Sequence, residues 1–147
     1  MVFDREQIKQ FIPHREPFLF LDGVTEFEKG SKIVAIRTFE ADEAMFLGHF
    51  PGNPVVPGVI IAESLAQAGG VLIGASFADE IKELGFSNAY LMGLDNCRFR
   101  KPVGPGEELT LSVNLTRKRT RVMVFEGFAT LSGGEKVADA SITASFV

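Results

Sequence analysis

The sequence predicts an α+β fold in which a curved antiparallel β-sheet wraps around one long central helix. Two observations carry that expectation. Residues 59–78 are apolar on nearly every side, with Glu63 their only charge. A helix of that kind lies either at the centre of a core or in a membrane. Several flanking segments alternate apolar and polar residues, as strands with one buried and one wet face do.

Taken in order, Asp4 followed by Gln7 reads as a capping box that opens a short helix burying Ile8, Phe11 and Ile12. Pro13 should stop it. From Ser31 to Glu40, Ile33, Ala35 and Phe39 fall on one side, as in a half-buried strand. Pro57-Gly58 opens the long apolar run sharply, and Asp79-Glu80 is expected to close it. About 20 such residues could span a bilayer, but neither end carries a basic flank or an aromatic belt. The strands also need an apolar body to enclose, so the run is expected as the core helix. Beyond it, Leu109, Leu111, Val113 and Leu115 share one face. Met123, Phe125, Ala129 and Leu131 share another, and Ala138, Ala140, Ile142, Ala144 and Phe146 a third. Gly133-Gly134 joins the last two as a hairpin turn. At 147 residues the chain is expected to form one domain over residues 1–147.

Composition narrows the function. A net charge of −4 argues against nucleic-acid binding, which wants a basic footprint. The opening MVFDREQIKQ lacks the pattern of a signal peptide, and one cysteine permits no internal disulfide. A cytoplasmic protein is expected, without a membrane segment. His14, His49 and Cys97 are the only imidazole and thiol groups, none at a zinc-site spacing, and Gly69-Gly70 does not form a nucleotide loop. No metal and no cofactor are expected, so the chemistry falls to side chains and backbone dipoles.

Residues 48–58, GHFPGNPVVPG, hold three prolines and four glycine or asparagine positions that favour turns, which together fix the backbone path. A histidine heads the segment and the apolar helix leaves its tail. Pro57 suits the start of a helix, and the N–H groups of Gly58 and Val59 are then free, with the positive end of the helix dipole behind them. That is a place for a carbonyl oxygen gaining negative charge. Glu63 lies about one and a half turns further on, where a carboxylate costs several kcal/mol unless it is paired or protonated. Alone it reads equally well as a structural acid, and His49 alone as a surface loop residue. Histidine, free amides and acid so close together point to an active site.

GHFPGNPVVPGVIIAESLAQAGG, with PHREPFLFLD at 13–22 and GLDNCRFRKPVGPGEEL at 93–109, resembles the FabZ-type 3-hydroxyacyl-acyl carrier protein dehydratases of fatty-acid synthesis. The resemblance runs to Leu109. It implies a hot-dog fold, with His49 as the catalytic histidine and Glu63 as its acidic partner from the other subunit of a homodimer, alone or in a trimer of dimers. It further implies that Val55 offers its carbonyl to the imidazole, that Gly58 offers its N–H to the thioester oxygen, and that Gln67 helps hold the departing water. Glutamate at 63 resembles the branch that only dehydrates. Glu16 stands where the family usually has an aromatic residue, and Ala44 and Leu47 where prolines are common.

Removing water across Cα–Cβ needs a base for the α-proton, an acid for the leaving hydroxyl and a site for the polarised thioester oxygen. The implied residues supply all three. Two other functions compete. A hot-dog thioesterase would use the same helix dipole, but hydrolysis has no use for a histidine at the α-carbon. A non-catalytic acyl-binding or assembly subunit would have no reason to keep a costly acid. Arg98, Arg100 and Lys101, with the cluster Arg117–Arg121, read equally as solvated strand ends or as a docking surface for acidic acyl carrier protein. His14 is expected to make a structural hydrogen bond, and Cys97, alternating with Phe99, to pack in a strand.

Overall fold

Asp4 does cap the first helix. Its Oδ1 accepts from the Gln7 N–H at 2.8 Å, and Gln7 Oε1 accepts from the Asp4 N–H at 2.9 Å. The computed structural model describes all of residues 1–147, and runs β1 (Phe3–Asp4), α1 (Arg5–Ile8), β2 (Gly23–Glu28), β3 (Lys32–Thr38) and α2 (Met45–Gly48). There follow α3 (Gly58–Ser76), α4 (Ala78–Leu84), β4 (Ala89–Phe99), β5 (Glu108–Lys118), β6 (Val122–Thr130) and β7 (Lys136–Phe146). The seven strands form one antiparallel sheet in the order β1-β2-β3-β5-β6-β7-β4.

The sheet curves round α3. Ile33 and Ala35 of β3, Leu109, Leu111 and Val113 of β5, Phe125 and Ala129 of β6 and Ile142 of β7 are all sealed from solvent. They meet Leu65, Ala68, Val71, Leu72 and Ile73 of the helix. Each fully buried Leu, Ile, Val or Phe contributes about 1.5–3 kcal/mol as an upper bound. α3 is long and apolar enough to cross a membrane, yet 61 % of its most apolar window is buried inside this fold. Gly69 has a local reason: a methyl there would lie 3.2 Å from the Phe125 ring, so any larger residue would push that ring back by a few tenths of an ångström.

Three expectations need correction. The first helix ends at Ile8, so Phe11 and Ile12 lie beyond it and Pro13 is not what stops it. The long helix ends at Ser76, where Phe77 takes a non-helical conformation, and Asp79-Glu80 sits in the first turn of α4 instead of closing α3. Acidic residues there complement the dipole of a new helix, so the signal belonged to a start. Phe99 is half exposed and lies over Gly58, where a methyl would meet its ring at 3.0 Å. β4 as a whole is an edge strand paired only with β7, and it leaves Tyr90, Leu91, Met92, Leu94 and Phe99 exposed.

One polar residue sits on the buried face of β3. Arg37 is 7 % exposed, places its guanidinium 4.4 Å from the Phe39 ring centroid, and donates to Asp22 at 3.1 Å and to Glu43. A buried cation is tolerated only when so paired. The pairing ties the end of the 13–22 segment to the start of the loop that leads into α2.

Candidate active site

α2 delivers His49. The His49 N–H donates to Met45 O at 3.1 Å, and the chain then doubles back, with Phe50 and Asn53 exchanging N–H···O bonds of 3.0 and 2.8 Å. Gly52 makes that turn at φ +74°, which L side chains rarely adopt. The Val55 N–H donates to His49 O at 3.0 Å, and Val55 O lies 2.8 Å from His49 Nδ1. A carbonyl can only accept, so Nδ1 carries the proton and Nε2 is the basic nitrogen of the neutral ring. The Phe50 ring stacks on the imidazole at 4.0 Å between centroids. The Val56 N–H donates to Val103 O at 2.8 Å and fixes the far end of the turn.

Pro57 is the residue before α3, with its carbonyl accepting from the Ile60 and Ile61 N–H groups. The N–H groups of Gly58 and Val59 donate to no backbone carbonyl, and Val59 is exposed. They form the positive end of the helix dipole.

Glu63 is not sealed in the core: its side chain is 20 % exposed and opens on a cavity of about 340 Å³. Gln67, one turn on, is 1 % exposed and donates to Glu63 Oε2 at 2.9 Å and to Phe18 O at 3.0 Å, while its Oε1 accepts from the Phe20 N–H at 2.8 Å. Both amide hydrogens are thus committed, and neither is left for water. His49 does not line this cavity, and within one chain it makes no bond to Glu63.

His14 was missed as a site residue. It makes no structural hydrogen bond: Nδ1 is buried without a partner, and Nε2 lies 3.6 Å from Glu63 Oε2, beside the cavity. The contact spans most of fifty positions in sequence, so no local pattern announces it. Burial lowers the His14 pKa below the usual imidazole range, against the opposing pull of Glu63. The unfolded chain therefore takes up a proton here at pH values where the folded protein does not. This part of the stability is complete above about pH 6.5 and is lost as pH falls from there through the lowered folded value. Denaturant unfolding followed over that range should show stability declining with acid, and His14→Asn should make the decline shallower. An equal slope in the variant would exclude His14 as a source.

The other candidates are placed as follows. Glu16 pairs with Arg5 at 3.0 Å and Lys9 at 3.1 Å. Arg100, Lys101 and Lys118 pair with Asp139, Glu135 and Glu80. Cys97 is partly buried against the core, and burial raises its pKa, so it is not an activated thiol.

A curved antiparallel sheet wrapped round one long central helix defines the hot-dog class. The FabA-like domain model matches residues 12–141, and the chain belongs to that family. It is similar to the 3-hydroxyacyl-[acyl-carrier-protein] dehydratase FabZ of Thiobacillus denitrificans, at 41 % identity over 97 % of this chain and 96 % of that one. The FabZ of Bacillus velezensis is 44 % identical over 97 % and 96 %. The bifunctional enzyme LpxC/FabZ of Chlorobaculum tepidum is 42 % identical over 99 % of this chain, which spans 30 % of that protein. A solved dehydratase heterocomplex, ApeI:P of Xenorhabdus doucetiae, shares the fold with a TM-score of 0.78 at 20 % identity, over 95 % of this chain and 90 % of that one.

Proposed function

We propose that this chain is a FabZ-type dehydratase, a single-domain enzyme that converts 3-hydroxyacyl-acyl carrier protein to the trans-2-enoyl thioester in fatty-acid synthesis. The observation that carries the reading is the 2.8 Å contact between His49 Nδ1 and the Val55 carbonyl. Val55 O holds the proton on Nδ1, so Nε2 is the nitrogen left to accept one, and the Gly58 and Val59 amides at the start of α3 have no backbone acceptor. Nε2 removes the α-proton while the thioester oxygen, hydrogen-bonded to the Gly58 N–H, takes up the developing charge. The electron pair becomes the Cα=Cβ bond as the Cβ–O bond breaks. Glu63 gives its proton to the departing hydroxyl, which leaves as water. The imidazolium then returns its proton to the carboxylate, and the site is reset.

His49 and Glu63 do not meet within one chain, so the pair is read as shared between two copies in a homodimer. The exposed apolar edge of β4 supports that reading, since a strand paired on one side only and so apolar calls for a partner. Leu47, Phe50, Val59 and Phe99 are exposed as well; Phe50 stacks on the His49 ring and Phe99 lies over Gly58. In this reading Gln67 holds the Glu63 carboxyl in place, and the acyl chain enters the cavity that Glu63 heads. The unpaired arginines at the β5–β6 turn suit an acidic carrier protein, and the setting is cytoplasmic.

The test is purified protein with a 3-hydroxyacyl thioester, followed for enoyl absorbance and for free thiol. Enoyl product without thiol release is expected. Thiol release in step with substrate loss would make the protein a thioesterase, and no turnover on folded dimer would leave a binding subunit.

A further inference from the structure

Three segments line the cavity in step. On α3, Glu63, Ala66, Gly70 and Gly74 face it at one-turn intervals, and from Glu63 to Gly74 the helix rises about 16 Å. The 11–14 segment runs the opposite way along the helix. His14 stands beside Glu63, Ile12 lies 3.1 Å from a methyl built on Gly70, and Phe11 O lies 2.6 Å from one built on Gly74. The third wall comes from β4 and β7, where Leu91 pairs with Ala144 and Ala89 with Phe146. The cavity is therefore a trough with the acid at its head, and chain continuity from α3 through α4 puts Ile81 and Phe86 at its foot.

Ile81 and Phe86 also line a second, small hollow behind the first, together with Ile73, Phe77, Leu84 and Met123. The two side chains are thus a partition one residue thick. It is braced from the far side. The Phe86 N–H donates to Ile81 O at 3.1 Å, the Arg121 guanidinium lies 5.3 Å from the Phe86 ring centroid, and Lys118 joins Glu80 of α4 at 2.9 Å.

We propose that the Ile81–Phe86 partition is the acyl-length stop of this enzyme, closing the trough against long chains. The inference rests on the dehydratase reading above and adds to it the residues that choose among substrates. Chains that end before the partition fill apolar space, whereas longer ones must displace a braced aromatic ring. Cutting Phe86 back to alanine joins the two hollows and lengthens the trough. Phe86→Trp pushes the wall inward.

The experiment compares 3-hydroxybutyryl, 3-hydroxydecanoyl and 3-hydroxyhexadecanoyl thioesters of acyl carrier protein with wild type, Phe86→Ala and Phe86→Trp. The readout is the ratio of kcat/KM for the longest chain to that for the shortest. Phe86→Ala should raise this ratio by about ten-fold and Phe86→Trp should lower it, the range expected when a pocket gains or loses room for a few carbons. A ratio unmoved in both variants would overturn the partition as the stop. Should Phe86→Ala fold poorly, Phe86→Trp and Ile81→Phe test the same wall from inside. Wild type that dehydrates none of the three would instead overturn the dehydratase reading itself.

Discussion

Replacing His49 with alanine should lower dehydration by about 10²–10⁴-fold, the usual cost of losing a general base. The fold should survive, because the ring contributes one hydrogen bond to Val55 O and a stacking contact with Phe50 at the surface. The turn itself is held by backbone bonds, Phe50 with Asn53 and the Val55 N–H with His49 O, which alanine retains. Thermal unfolding should therefore move little while the enoyl signal disappears. Activity within a few-fold of wild type, on protein shown to be folded, would remove His49 from the mechanism.

Glu63→Gln should be nearly as damaging to turnover, because it keeps the shape and removes the proton. Its effect on stability should be small, since the glutamine oxygen can still accept from the Gln67 amide. The sharper form of this prediction mixes two inactive proteins. If each site takes His49 from one subunit and Glu63 from the other, exchanged His49→Ala and Glu63→Gln subunits form heterodimers in about half of all pairs. Each heterodimer has one intact site and one doubly altered one, so activity should return to about a quarter of wild type, given closed two-fold pairs. Exchange demonstrated by a label, with no return of activity, would place both residues in one chain's own site.

The central helix and the strands β3, β5, β6 and β7 were readable because they depend on local periodicity, whereas β1 and β2 carry no such pattern. Ile33, Ala35, Leu109, Leu111 and Val113 alternate as a half-buried strand must, and Asp4 with Gln7 carries its cap in four residues. The segment holding His49 was readable for a related reason, since proline and glycine fix conformation where they stand. What could not be read depends on distance or on a partner. His14 meets Glu63 only because the 11–14 segment runs back along α3. Gln67 finds Phe18 and Phe20 only after that same segment has docked. β4 lacks a clean alternation because its side chains are exposed on both faces of the single chain, and Arg37 breaks the apolar pattern on the buried face of β3. The break at Phe77 was hidden because acidic residues mark the outside of one helix and the beginning of the next equally well.

The Gln67 amide has a consequence for how the protein fails. Its three bonds reach Glu63 on one side and the backbone of Phe18 and Phe20 on the other. Should the 13–22 segment peel away in a local opening, well short of global unfolding, the acid would lose its anchor at the same instant. Damage by heat, truncation or a protease acting on residues 13–22 should then silence the chemistry while the rest of the sheet still stands, so that inactivation precedes melting.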